Sequence, residues 1–321
     1  MTHQHATGSF ASMKDIEGLR EIANRYDVLI CDIWGVLHNG KTPYEGADEA
    51  LISFRAGGGK VVLLSNAPRP SDSVYERLEN IGVKKNICDA IVTSGDLARA
   101  IAEDYSAAGK VGCHIGPAKD APLLAGIGAE FTDSLARADY ILLSGLYDDT
   151  TETPSDYEEF IAEALACGGK HGLPMLCANP DRQVQFGEKI IYCAGAVAER
   201  YEQRGGEVVW IGKPYSAVYD YVKIRIKEMG RAGAGAGAGA GAQEGAGAQE
   251  GAGAQEGEPR LLAIGDGAKT DIIGAANARL DALFISGGLA AIGGDDLEIK
   301  SATLLASENT HAAWVMQHLV W

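Results

Sequence analysis

Asp27-Val28-Leu29-Ile30-Cys31-Asp32-Ile33-Trp34-Gly35-Val36 decides the architecture of this chain. Residues 27–31 make a short apolar run, the pattern of a strand covered on both faces, and the run stops at a carboxylate with a glycine close behind. Runs of the same kind recur at Lys60–Leu64, Ala90–Thr93, Val208–Ile211, Leu261–Ile264 and Ala282–Ile285. Helical patterns separate them: one carrying Ile16, Leu19, Ile22 and Ala23, then Pro43–Ala56, Ser71–Asn80, Tyr215–Met229 and a helix after Asp271. His311, Trp314, His318 and Trp321 are expected on a terminal helix whose apolar members pack. Strand–helix alternation predicts an α/β fold, a doubly wound parallel sheet with helices on both faces. A second α/β set, with strands at Lys110–Ile115, Tyr140–Leu143 and Met175–Ala178 and a helix over 155–167, fills residues 96–205. It is long enough to be a domain inserted into a first one made of 1–95 and 206–321.

The chain has 321 residues, 46% hydrophobic, enough for a sizeable core. Its 28 Lys and Arg stand against 44 Asp and Glu, a formal net charge of −16. That charge repels phosphate backbones and anionic lipid, so nucleic acid and membrane surfaces are not expected partners. No apolar stretch approaches the roughly 20 residues of a membrane span. Met1–Met13 is polar and lacks the apolar core of a signal peptide, and His3 and His5 read as tail residues. Six cysteines without a C-x-x-C pair read as reduced thiols, which together with the soluble composition predicts a cytoplasmic protein. From Ala232 to Glu256 the chain alternates Ala and Gly and then repeats a Gln-Glu beat; this is expected to be a flexible surface insertion whose deletion leaves activity within about threefold.

Open parallel sheets place their chemistry at the carboxyl ends of strands. Four ends carry candidates. Asp32 ends the first strand, either as a turn residue or as a carboxylate facing a cleft beside Gly35. Ser65-Asn66 ends the second, either as an ordinary helix start or as a hydroxyl and amide suited to phosphate. Gly265-Asp266-Gly267, with Asp271 five residues after Asp266, is either a turn with a helix cap or a pair of carboxylates for a hard divalent cation. Lys213, after Ile211-Gly212, is either a surface charge or a cation at a fourth strand end.

In combination, Asp32, Ser65, Lys213 and Gly265-Asp266 with Asp271 resemble the four motifs of the haloacid dehalogenase superfamily, over nearly the whole chain. A Rossmann-like core with a cap inserted between the Ser and Lys motifs resembles its class IIA, the nitrophenylphosphatase-like, nucleotide and pyridoxal-phosphate phosphatases. Cys177-Ala178-Asn179-Pro180-Asp181 matches the Asn-Pro-Asp signature of that class, Tyr140–Leu146 its strand ending in Gly, and Cys193–Ala196 its Gly-rich helix start. The resemblance implies that Asp32 is a nucleophile forming an aspartyl-phosphate. It implies that Mg²⁺ is held by Asp32, the Trp34 carbonyl and Asp266, supported by Asp271. Ser65, the Asn66 amide and the peptide amides near Trp34 and Gly35 would bind phosphoryl oxygens, Lys213 would supply positive charge, and Asp181, Arg182 and Gln183 would face a small phosphorylated substrate. Caps of this kind often form homodimers.

Trp34 departs from the pattern. It stands where phosphatases of the superfamily carry a second Asp, the general acid and base, and indole does neither job. Three readings follow: phosphate hydrolysis with an activated substrate or another acid such as His38; a catalytically weak module that holds a phosphorylated ligand; and a dehalogenase-type attack on carbon, against which the metal-type motif speaks.

Overall fold

The computed structural model describes residues 13–186, 189–236 and 258–321. The strands in chain order are β1 (Lys14–Asp15), β2 (Val28–Asp32), β3 (Lys60–Ser65), β4 (Ala90–Thr93), β5 (Gly112–Ile115), β6 (Tyr140–Leu143), β7 (Met175–Cys177), β8 (Gln183–Phe186), β9 (Lys189–Tyr192), β10 (Val208–Trp210), β11 (Leu261–Gly265), β12 (Asp281–Ile285) and β13 (Trp314–Met316). The α-helices are α1 (Ala47–Ala56), α2 (Ser71–Asn80), α3 (Ser94–Ala107), α4 (Glu158–Cys167), α5 (Ala194–Gln203), α6 (Ser216–Ala236), α7 (Ile273–Asn277) and α8 (Leu297–Ser307).

Seven strands pair in the order β1-β13-β12-β11-β2-β3-β4, every pair parallel. From β2 the chain winds outward through β3 to β4, and later from β11 through β12 to β13 on the other side. The winding therefore reverses between β2 and β11, where a doubly wound sheet opens a crevice at its carboxyl edge. A second parallel sheet runs β10-β7-β6-β5, and β8 and β9 form an antiparallel hairpin.

Strand side chains alternate between layers, as the two-residue repeat requires. Leu29, Cys31, Val61 and Leu63 face a cluster with Leu51 and Phe54 of α1 and Leu78 of α2. Val28, Ile30, Val62 and Leu64 face the opposite way, into a cluster holding Leu97 and Ala98 of α3 and Val218 and Val222 of α6. That cluster also takes in Tyr140, Leu142 and Leu176 from the second sheet. The other face of the second sheet, with Ile141, Leu143 and Met175, packs on Ile161 of α4 and Val197 of α5. The two sheets thus share one apolar layer.

The structure departs from the sequence reading in several places. Ile16–Ala23 forms no α-helix but 3₁₀ turns at Leu19–Glu21 and Ala23–Arg25. Lys14–Asp15 is drawn into β1, and the Leu19 N–H donates to the Val320 carbonyl at 2.9 Å, so the carboxyl-terminal segment pins this stretch before a helix can propagate. The expected terminal helix is absent: Trp314–Met316 is a buried strand between β1 and β12. Val208–Trp210, assigned from sequence to the first unit, is an edge strand of the second sheet beside β7. The helix expected after Asp271 is present as α7, and a π-helical turn over Ala268–Ile272 that carries Asp271 leads into it. Helix α6 continues through Ala236, five residues into the Ala/Gly stretch, and 237–256 lie outside the described residues, as do His3 and His5. Among the described residues no helix is long and apolar enough to cross a membrane.

Candidate functional site at the strand ends

Asp32 ends β2, and Asp266 follows β11 directly, so the two carboxylates sit on either side of the crevice where the winding reverses. Asp271 joins them from the π turn. Each of the three can offer an oxygen within 4.8 Å of the others, and all three residues are buried. Gly35 makes this possible. Its φ is +85°, and a Cβ there would lie 1.9 Å from Asp266 Oδ2. Its N–H, expected from sequence to bind a phosphoryl oxygen, donates instead to the His38 carbonyl at 2.9 Å.

Lys213 enters the cluster from the loop after β10, 4% exposed. Its ammonium donates to Asp32 Oδ1 and, at 2.7 Å, to Asp271 Oδ1. Asp271 Oδ2 accepts from the Gly267 N–H at 3.0 Å, and Asp266 Oδ2 accepts from the Leu289 N–H at 2.6 Å. Two carboxylates thus share one ammonium, and the third, Asp266, has none of its own. Burial, then the neighbouring Asp271, pushes the Asp32 carboxyl well above the usual range despite Lys213. The same two causes push Asp266 up to about 7. For Lys213 burial works downward, but Asp271 and Asp32 overcome it and hold the amine protonated. A desolvated, self-repelling set of hard oxygen donors of this kind fits a divalent cation such as Mg²⁺.

The loop after β3 supplies the remaining groups. Ser65 Oγ accepts from the Ala67 N–H at 3.2 Å. The Asn66 carboxamide is spent inside the protein, on Lys213 and on Asp181 at 2.9 Å, so contact with a phosphoryl group would fall to its main chain. Arg182 does not join the cluster. It pairs with Glu199 at 2.8 Å, about half exposed, and lines a separate cleft of about 630 Å³ with Arg200 and Arg204. Trp34 lies edge-on to His38, ring centres 5.3 Å apart, and its ring fits against Gly40, where a Cβ would come within 2.5 Å. His38 Nδ1 accepts from the Gly40 N–H at 2.8 Å, and burial lowers its pKa to about 4. It is a neutral imidazole at physiological pH and a poor stand-in acid. Sequence reasoning missed the Asn66–Lys213 and Asn66–Asp181 bonds, which span 147 and 115 residues and leave no local signal.

A doubly wound sheet with a carboxylate cluster and a buried lysine at its switch point, and a second α/β sheet inserted between its halves, defines a class of Rossmann-like α/β proteins. A model of haloacid dehalogenase-like hydrolases matches residues 29–130. A solved hydrolase of the haloacid dehalogenase-like family from Brucella suis is 32% identical, covering 95% of this chain and 100% of its own, with a TM-score of 0.75. The chain belongs to that superfamily and has the form of its class IIA. A possible sugar phosphatase from Cytophaga hutchinsonii is 19% identical over 96% of this chain and 99% of its own, with a TM-score of 0.69. A glycerol phosphate phosphatase from Mycobacterium tuberculosis, solved with magnesium, is 22% identical over 84% of this chain and 70% of its own, with a TM-score of 0.61. At those identities the likeness is one of fold. No curated protein matches the sequence.

Proposed function

We infer that the protein is a metal-dependent phosphatase acting on a small phosphorylated metabolite through Asp32. The carrying observation is the buried trio Asp32, Asp266 and Asp271 with Lys213 among them. Asp32 and Asp266, with the Trp34 carbonyl, would hold Mg²⁺, and Asp271 would support it. Bound there, the ion would neutralise the repulsion between an anionic nucleophile and an anionic phosphoryl group. The Asp32 carboxylate attacks phosphorus, the P–O bond to the leaving group breaks, and water then hydrolyses the aspartyl-phosphate. Ser65 keeps its hydroxyl proton for a phosphoryl oxygen, since its Oγ is the acceptor for Ala67. Lys213 places positive charge where the transition state spreads negative charge.

Trp34 cannot protonate a leaving group, and His38 is buried, neutral and hydrogen-bonded at Nδ1. The substrates favoured are therefore those whose leaving group departs without a proton, such as acyl or aryl phosphates. The same observation favours one further reading, a module that holds a phosphorylated ligand with little turnover. Phosphate release from a panel of phosphomonoesters and acyl phosphates, with Mg²⁺ or EDTA and with Asp32→Asn alongside, separates the two. Metal-dependent release lost in Asp32→Asn supports the phosphatase. No release from any compound, with Mg²⁺ bound, supports the module.

A further inference from the structure

The side chain of Asn66 makes three hydrogen bonds, and none of them is to a neighbour in sequence. Its Oδ1 accepts from the Lys213 N–H at 2.7 Å, and its Nδ2 donates to the Lys213 carbonyl at 3.1 Å. The carboxamide therefore grips both main-chain polar groups of the residue whose ammonium lies between Asp32 and Asp271. The other Nδ2 proton goes to Asp181 Oδ1 at 2.9 Å. Asp181 follows β7 of the second sheet and is held from both sides: its N–H donates to Asn179 Oδ1 at 3.1 Å, and its carbonyl accepts from the Gly195 N–H at 3.1 Å.

There is no slack at this seam. Gly212, at φ +123°, precedes the gripped lysine, and a Cβ there would lie 2.3 Å from Ser94 Oγ, 2.6 Å from Asn66 Oδ1 and 2.9 Å from the Pro180 ring. A second carboxylate of the inserted sheet meets the same loop: Asp120, in the turn after β5 and 2% exposed, lies 3.7 Å from Arg69. The loop 65–69 is thus held by strand-end residues of the second sheet while its Asn66 holds Lys213.

We propose that Asn66 is a positioning residue through which the inserted sheet sets the place of Lys213, with Asp181 acting as a hydrogen-bond acceptor that orients the carboxamide. A primary amide presented with one donor to Asp181 has its remaining donor and its oxygen aimed at the Lys213 peptide, whereas a carboxamide free to rotate would present them only part of the time. Asp181 does its work here with one lone pair and not with its charge. Misplacing a transition-state cation by about 1 Å costs on the order of 10²-fold in rate. The inference rests on the phosphatase reading for its kinetic arm but not for its structural one.

The experiment compares Asp181→Ala, Asp181→Asn and Asn66→Ala with the unaltered chain, reading kcat and KM on the best phosphate donor of the panel and amide hydrogen exchange at Lys213. Asp181→Asn keeps an oxygen acceptor and removes the charge. The expected result is that Asp181→Ala and Asn66→Ala lower kcat by on the order of 10²-fold with KM within about threefold. Lys213 amide exchange should speed at least tenfold in both, and Asp181→Asn should return both readouts to within about threefold of the unaltered chain. If Asp181→Asn is as damaged as Asp181→Ala, Asp181 acts through charge on substrate or proton and the proposal is overturned. Unchanged exchange at Lys213 in Asp181→Ala overturns it equally. A chain that turns over nothing yet shows the expected exchange pattern supports the coupling and refutes the phosphatase reading instead.

Discussion

Replacing Asp266 by Asn should stabilise the metal-free protein, although it removes a residue from the site. The Asp266 carboxyl, 7% exposed, is pushed from an ordinary 3.8 up to about 7 by burial and by Asp271. A carboxyl raised in the fold contributes stability below its unfolded pKa and loses it as pH climbs through the folded value. The loss therefore runs from about pH 4 to about pH 7, and at pH 8 keeping this group ionised costs about 4 kcal/mol, at about 1.4 kcal/mol for each tenfold change in proton affinity. Asp32, raised by the same burial, recovers part of that by shifting its own proton, leaving about 2–3 kcal/mol. Asn is isosteric and keeps an oxygen for the Leu289 N–H. Thermal unfolding followed by circular dichroism in EDTA should give Asp266→Asn a Tm roughly 3–5 °C above the unaltered chain at pH 8, shrinking to nothing near pH 4. Millimolar Mg²⁺ should raise the Tm of the unaltered chain and move the variant much less. A variant that melts at or below the unaltered chain at pH 8, or a difference that ignores pH, would refute the picture of a strained acidic cluster awaiting a cation.

Asp32→Asn should reduce phosphate release to background while leaving the far-ultraviolet spectrum unchanged; residual metal-dependent release would mean another group attacks phosphorus. Trp34→Asp should raise kcat on alkyl phosphates, by up to about 10²–10⁴-fold, and change acyl phosphates far less. A fall on both would assign the indole a positive role. Gly35→Ala should cost about 1–3 kcal/mol in urea unfolding because its φ is left-handed. It should also abolish the Mg²⁺-dependent rise in Tm, since the new methyl occupies the place of Asp266 Oδ2. Retention of that rise would show that Asp266 is not needed for the ion.

What the sequence disclosed follows from how buried parallel strands are written. β2, β3 and β11 are unbroken apolar runs, so Asp32, Ser65 and Asp266 stand out as the first polar residues at their ends, and the crevice between β2 and β11 gathers two of them. Shorter elements were illegible. β13 has three residues, buried throughout, too few for any period to show between His311 and His318. The stretch after β1 carries apolar residues at helical spacing, yet contact with the carboxyl-terminal segment holds it in 3₁₀ turns. The sheet that Val208–Trp210 joins depends on pairing with Met175–Cys177, which no local pattern records. For the same reason Asn66 read as a phosphate ligand, and its hold on Lys213 emerged only in three dimensions.

The apolar layer common to both sheets bears on how this chain could be taken apart. Tyr140, Leu142 and Leu176 lie in the same buried cluster as Val28, Ile30, Val62 and Leu64 and the inner faces of α3 and α6, with Tyr140 edge-on to Tyr105 of α3. Cutting out residues 96–205 would take α3 with it, strip α6 and the first sheet of that cover and leave an oily surface on each fragment, prone to self-association. Because the sheets share that layer, any rearrangement between them would have to carry or break the packing of Tyr140, Leu142 and Leu176.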